Sequence, residues 1–230
     1  MNKIKLLPLP FILSFFVLYL SLDHEAWVIF WKMLNIPAVT PPFSDLDSIL
    51  KTNLSKNSGF NVYLENPYDP THGVYMYPSI WLNIFNFLKL DNSIYFKLFN
   101  FIIIFSYFFI IQNLFIKNFG KFSNSLIGIF FFSTTNFLIL ERLNIEIIIF
   151  SLVYFAVTAN KNIIKSFFFI TALVGKVFPI FSIFFLIDKK KYFFSILSLS
   201  ILLVAFNAKF NFLYESKNSL FKKIETIASL

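Results

Sequence analysis

The sequence contains no cysteine, and this absence excludes disulfides, thiol catalysis and zinc sites with thiolate ligands. Glycine is scarce too, with 5 residues in 230, and no glycine-rich phosphate-binding loop is present. The two histidines, His24 and His72, lack the spacing of metal ligands, and no Ser-His-Asp set or paired-carboxylate hydrolase signature occurs. The common signatures of soluble enzymes are therefore missing.

Hydrophobic residues are abundant instead. They make up 57% of the chain, and phenylalanine alone supplies 36 of the 230 residues, which is more apolar surface than a soluble domain of this size hides. At about 20 residues per membrane helix, the length accommodates roughly six or seven spans. We therefore expect an all-α, polytopic membrane helix bundle, with a single transmembrane domain over residues 1–230. The net charge of +8 does not indicate nucleic acid, because the lysines lie in short links between apolar runs, as in cytoplasmic membrane loops.

The N-terminal segment predicts an uncleaved first span. Lys3 and Lys5 precede the apolar run Leu6–Leu22, and no small-x-small cleavage site follows it. Residues 23–77 form the one net-acidic part of the chain, so the positive-inside rule places them outside as a first outer loop. Apolar residues at helical spacing over Phe43–Ser55 predict a short amphipathic helix along the membrane surface.

The later apolar runs agree with the charge rule only if two of them do not cross the membrane. Pro78–Leu90 is about 13 residues, or roughly 20 Å of helix, too short for a hydrocarbon core of about 30 Å, so we predict a partial helix. Ile163–Ile187 is interrupted by Gly175-Lys176-Val177-Phe178-Pro179, which predicts two half-helices. The other runs are Ile94–Ile116, Phe122–Leu140, Ile145–Ala159 and Tyr192–Asn207.

This arrangement predicts a multi-pass protein of a bacterial plasma (inner) membrane with a cytoplasmic N-terminus. The lysine-rich links then lie inside, represented by Lys121, Lys161 and Lys190. The acidic loop, the link Glu141–Glu146 and Lys176 lie outside.

Charged residues beside apolar segments are functional candidates, because charge is costly in the membrane. Asp45 and Asp47 follow the first span, and residues two apart on a helix point in different directions. A carboxylate here would serve as a general base or as a ligand of a divalent metal ion. The structural alternative is a helix N-terminus, which favours acidic residues. The residues leave these alternatives open.

Two further polar groups interrupt the apolar runs. Glu141-Arg142-Leu143-Asn144-Ile145-Glu146 contains the only arginine among 20 basic residues, and a planar guanidinium suits phosphate or carboxylate. A tight polar turn at the membrane edge is the alternative. Lys176, in the helix break, would either hold an anionic group at the floor of a cavity or extend its ammonium group to the interface.

Taken in order, these groups resemble bacterial membrane glycosyltransferases of the GT-C type, in the polyprenol-phosphate-mannose-dependent, mannosyltransferase-like branch. Asp45, Asn66-Pro67-Tyr68-Asp69-Pro70 and Tyr75-Met76-Tyr77-Pro78-Ser79-Ile80-Trp81 look like the first outer loop of that branch. The Glu141–Glu146 link is similar to its Glu-Arg-Gly-Asn-Ile-Asp, with Leu143 in place of the glycine and Glu146 in place of the aspartate. Lys176-Val177-Phe178-Pro179 is similar to its Lys-Leu-Tyr-Pro.

The resemblance implies inverting transfer of a mannose-like hexose from a polyprenyl-phosphate donor to a lipid or glycan acceptor on the outer face. Asp45 would deprotonate the acceptor hydroxyl, and Arg142 and Lys176 would bind the leaving phosphate. The implied supporting residues are Asp47, Glu141, Asn144 and Glu146, with Tyr75, Tyr77 and Trp81 stacking on a sugar. Family members continue with several more spans, so the chain would correspond to the N-terminal part of a longer fold.

Two other functions remain open from the residues. One is a transporter or flippase for a lipid-linked anion, which would also need broken helices and a buried lysine. The other is a non-catalytic, truncated membrane homologue of the enzyme. Asp45 separates these functions, because catalysis requires a base beside the phosphate-binding cations and transport does not. The residues specify neither the sugar, nor the acceptor, nor a metal requirement.

Overall fold

The computed structural model describes residues 8–69, 73–119, 123–131 and 133–176. All regular structure in these ranges is helical, which confirms the predicted all-α fold. The described helices are α1 (Pro8–Leu20), α2 (His24–Met33), α3 (Ser44–Asn57), α4 (Ile80–Phe87), α5 (Ser93–Phe119), α6 (Ser123–Phe131), α7 (Thr134–Arg142), α8 (Glu146–Thr158) and α9 (Asn162–Gly175). The chain divides into two compact units: unit 1 comprises residues 1–47 and 89–154, and unit 2 comprises residues 48–88 and 155–230.

Among the described helices, α5 alone is long and apolar enough to cross a membrane by itself. Its 27 residues extend about 40 Å, which exceeds a hydrocarbon core of about 30 Å. Helices α1 and α2 meet the same criterion only as a pair, which is bent by 118°. Helices α8 and α9 are apolar but shorter. The described residues therefore do not confirm the prediction of many spans.

Aromatic contacts hold the helices of unit 1 together. Helix α1 packs on α5, and α5 packs on α6. The ring of Phe11 meets that of Phe101 edge-on, with centroids 5.6 Å apart, and Phe108 meets Phe131 at 5.0 Å. Edge-to-face geometry suits the charge distribution of aromatic rings. Part of the phenylalanine excess thus serves helix packing.

The apolar run 122–140 forms two helices, α6 and α7, rather than one. The Ser133 hydroxyl accepts a hydrogen bond from the backbone N–H of Asn136 and caps α7. The Asn136 amide donates to the carbonyl of Phe131 at the end of α6 (3.1 Å). Tyr107 of α5 donates its hydroxyl proton to Asn136 Oδ1 (2.8 Å). Because side chains satisfy backbone groups at the break, the chain can interrupt an apolar helix here.

Three local predictions are confirmed. The amphipathic segment forms α3, with bounds two residues or fewer from those predicted. The short run after residue 78 forms α4, whose 8 residues extend only about 12 Å. Helix α9 ends at Gly175, and Lys176 has extended backbone angles. The second predicted half-helix and the run 192–207 lie outside the described residues.

In unit 2, a polar stripe on α3 is covered by the loop that follows it. Ser48, Thr52 and Ser55 lie at helical spacing along α3. Asn66 accepts a hydrogen bond from Ser55 Oγ (2.6 Å) and donates one to Thr52 Oγ1 (2.7 Å). Ser48 donates to the carboxylate of Asp69. Asn66 and Asp69 therefore attach the loop to α3 and cover the polar stripe of this amphipathic helix.

Candidate functional site

In unit 1, the structure brings together two polar groups that are distant in the sequence. Asp45 lies in the first turn of α3, and Asn144 lies in the turn between α7 and α8. The Asn144 amide nitrogen donates a hydrogen bond of 2.8 Å to Asp45 Oδ2, across 99 positions of sequence. Asp45 and the Glu141–Glu146 link therefore belong to one cluster.

A second hydrogen bond determines the orientation of the Asn144 amide. Its oxygen accepts the backbone N–H of Glu146, the first residue of α8, at 3.0 Å. Asparagine is a favoured residue at helix starts for this reason. Because the oxygen is directed at α8, the amide nitrogen is directed at Asp45. The acidic side chain of Glu146 lies in the first turn of α8, where the helix dipole favours negative charge.

Glu141 is fully buried and holds the segment that precedes α3. Its Oε1 accepts the backbone N–H of Val39 at 2.6 Å, and its backbone carbonyl accepts that of Phe43 at 3.3 Å. Burial raises the pKa of Glu141. The Val39 N–H and the positive charge of Arg142 partly oppose this rise, and the negative charge of Asp45 adds to it. The two backbone contacts tie the start of α3, and with it Asp45, to the end of α7.

Arg142 has an exposed side chain beside this buried acid. Its side chain is 42% exposed, and its Nε atom lies 3.8 Å from Glu141 Oε2. In the described part of the protein, Glu141 Oε2 has no hydrogen-bond partner. The contact involves the Nε edge of the guanidinium, and a planar guanidinium can bind a phosphate through two parallel N–H groups. Arg142 therefore combines partial solvent access with a place two residues before Asn144 in the sequence.

Two non-glycine residues at this cluster have left-handed backbone angles. Phe43, just before α3, has φ 60°, and Leu143, between Arg142 and Asn144, has φ 49°. Left-handed angles cost an L-residue about 1–2 kcal/mol. Burial offsets this cost, because Leu143 is 0% exposed and Phe43 is 3% exposed. The glycosyltransferase motif that this link resembles has glycine at the position of Leu143, and glycine adopts such angles freely.

Asp47 also belongs to unit 1, whereas Lys176, Tyr75, Tyr77 and Trp81 belong to unit 2. Lys176 Nζ lies 5.7 Å from the centroid of the Tyr77 ring. The Trp81 indole donates to the carbonyl of Gly175 at 3.0 Å, which satisfies an open carbonyl at the end of α9. Tyr75 and Trp81 are only 4% and 3% exposed. The sugar-stacking role that the resemblance implies for them stays a prediction.

Sequence reasoning missed two buried tryptophans of α2 and a backbone contact to Glu141, all in unit 1. Trp27 and Trp31 of α2 are buried, and Trp27 packs against Phe43 with centroids 5.1 Å apart. Their spacing of four residues was an available helical signal inside the outer loop. The contact of Val39 with Glu141 involves a backbone N–H, which leaves no mark in the sequence. The described ranges contain no group of three or more His, Asp or Glu residues that could hold a metal ion.

No family model, curated protein or solved structure matches this chain. The resemblance to GT-C type glycosyltransferases therefore depends on the motifs themselves. The contacts of Asp45, Glu141, Arg142 and Asn144 in unit 1 are the structural observations that bear on it.

Proposed function

We propose that this protein is a membrane glycosyltransferase of the GT-C type that transfers a mannose-like hexose from a polyprenyl-phosphate donor. One observation carries the proposal: the hydrogen bond from Asn144 to Asp45 joins a carboxylate to the Glu141–Glu146 link, which holds the only arginine of the sequence. A base and a cation on adjacent elements are the two groups that such a transfer requires.

In the proposed reaction, Asp45 takes the proton of an acceptor hydroxyl. The hydroxyl oxygen attacks the anomeric carbon, and the bond from that carbon to the phosphate oxygen breaks with inversion. The polyprenyl phosphate leaves with the electron pair, and the guanidinium of Arg142 binds its negative charge. Lys176 belongs to unit 2, and its share in phosphate binding stays a prediction from the sequence.

The backbone at Leu143 supports the resemblance independently of residue identity. The family motif places glycine at this position, and here the backbone has φ 49° and ψ 57°. A turn that requires a left-handed residue between the arginine and the asparagine explains a glycine at this place. Leu143 adopts this left-handed backbone and fills a buried site.

Replacing Arg142 by lysine is expected to weaken binding of a polyprenyl-phosphate mannose by more than a factor of ten, or about 1.4 kcal/mol. Lysine retains the charge but loses the planar pair of N–H donors. Binding of the radiolabelled donor to purified protein in nanodiscs measures the change. Lys117→Gln, which removes a basic residue from a predicted cytoplasmic link, is the control and should bind like the unsubstituted protein. Equal affinity of Arg142→Lys and the unsubstituted protein would make the arginine structural.

The proposed topology predicts which positions are accessible from outside. Because the chain lacks cysteine, single cysteines can be labelled without background by an impermeant thiol reagent. We expect labelling in intact cells for Asp45→Cys, Asn144→Cys and Lys176→Cys. Lys121→Cys, Lys161→Cys and Lys190→Cys should react only after the membrane is permeabilised. Outside labelling at position 121 or 161 would contradict the topology.

A further inference from the structure

The Asn144 side chain connects the predicted base to the start of α8. It donates to Asp45 Oδ2 at 2.8 Å and accepts from Glu146 N–H at 3.0 Å. We propose that Asn144 is a positioning residue for the base, which holds the Asp45 carboxylate in a fixed orientation and in its charged form. This inference depends on the proposed function, because only a transfer reaction requires Asp45 to be an unprotonated base.

The charges around Asp45 explain why such a donor is needed. Acidic residues occur on three elements of this cluster: Asp47 on α3, Glu141 on α7 and Glu146 on α8. The electrostatic interaction between Asp45 and Glu141 is repulsive, since the Asp45 charge raises the pKa of Glu141. Nearby acids favour a protonated carboxyl, whereas a hydrogen-bond donor and a cation favour the charged form. Asn144 supplies the donor.

The amide of Asn144 cannot rotate to exchange its two roles without loss. A rotation would direct the amide nitrogen at the N–H of Glu146, so that two donors would face each other. It would also direct the amide oxygen at the Asp45 carboxylate, so that two acceptors would face each other. The cap on α8 therefore keeps the donor on the Asp45 side. Serine and aspartate can also cap a helix, but neither presents an amide N–H to the carboxylate.

Asn144→Asp tests this role directly. Aspartate retains an oxygen for the cap on α8, but it places a second carboxyl at the position of the donor. Two carboxyl groups so close share a proton and titrate as a pair. The acid limb of the pH profile of sugar transfer should move to higher pH by about one unit or more. The assay follows labelled mannose from polyprenyl-phosphate mannose into membrane lipid or glycan.

A matched control exists elsewhere in unit 1. Asn92 uses its side-chain oxygen in the same way, accepting the backbone N–H of Ile94 at 2.9 Å before α5. Asn92→Asp makes the same chemical change at a helix start, and the pH profile should not move. Asn144→Ser retains a capping hydroxyl and replaces the amide donor by a hydroxyl on a shorter side chain without adding charge, so a smaller shift in the same direction is expected. This variant also carries the test if Asn144→Asp does not fold.

A second readout separates this inference from the proposed function. In protein labelled with ¹³C at the aspartate carboxyl carbons, the signal lost in Asp45→Asn identifies Asp45, and its titration midpoint should rise in Asn144→Asp. An unsubstituted protein without transfer activity would overturn the proposed function, while a risen midpoint would still show the coupling of Asn144 to Asp45. Normal activity with an unchanged pH profile and midpoint in Asn144→Asp would overturn the positioning role alone.

Discussion

Replacing Asp45 by asparagine is expected to abolish sugar transfer and to leave donor binding nearly intact. General-base catalysis contributes roughly 10²–10⁴-fold to rate, and asparagine has the shape of aspartate but cannot take a proton. The new amide oxygen can still accept the hydrogen bond from Asn144, so the contact between α3 and the α7–α8 turn should persist. A loss of turnover without a loss of binding identifies a base.

Asp47→Asn is the matched control for this experiment. Both acids lie in the first turn of α3, so both substitutions remove a charge that favours the helix start. A smaller effect of Asp47→Asn would therefore assign the loss to the reaction rather than to the helix. Transfer of labelled mannose and binding of the donor are measured on the same preparations. Full turnover in Asp45→Asn with an inactive Asp47→Asn would reverse the assignment, and full turnover in both would remove this helix from the chemistry.

The same variant distinguishes transfer from transport. A flippase for a lipid-linked anion would use Arg142 to bind phosphate but would not require a base at position 45. Movement of a fluorescent polyprenyl phosphate across proteoliposome membranes should then survive in Asp45→Asn. Transport that survives this substitution, in a protein that never transfers sugar, would favour the transporter.

The features predictable from the sequence depend on local signals. The spacing of apolar residues is a property of one helix, and it was sufficient to predict α3. Gly175 with Pro179 four positions later was sufficient to predict the end of α9 at Gly175. Charged residues in an apolar chain were sufficient to name Asp45 and the Glu141–Glu146 link as functional candidates, because burial of charge is costly. Their contact follows from tertiary packing. The charge rule predicted only that both lie on the outer side, and the family resemblance predicted that they share a site.

The features missed depend on contacts between distant parts of the chain. The break between α6 and α7 is stabilised by Tyr107, which lies 29 positions before its partner Asn136. Helix α2 lies within the loop predicted from its charge, although Asp23 accepts the N–H groups of Glu25 and Ala26 as a helix cap does. The left-handed angle of Leu143 was concealed because leucine rarely adopts it, and only the glycine of the family motif indicated it.

The backbone angle of Leu143 has a consequence for stability that can be measured. Leu143 is 0% exposed, so Leu143→Ala should lower the free energy of unfolding by about 2–5 kcal/mol. Leu143→Gly removes even more side chain, and in ordinary backbone it would be the less stable of the two. At φ 49°, however, alanine retains the left-handed cost and glycine does not. We therefore expect Leu143→Gly to be more stable than Leu143→Ala by about 1 kcal/mol.

Leu140 provides the matched control, because it lies three residues earlier inside α7 and is 3% exposed. Its backbone is helical, so the order should reverse, with Leu140→Gly less stable than Leu140→Ala by about 1 kcal/mol. Unfolding of the four variants in the same detergent, followed by circular dichroism, gives both differences. An alanine variant more stable than the glycine variant at position 143 would show that Leu143 is not left-handed in the folded protein. The turn that aims Asn144 at Asp45 would then need another backbone path, and the correspondence of Leu143 with the family glycine would lose its physical basis.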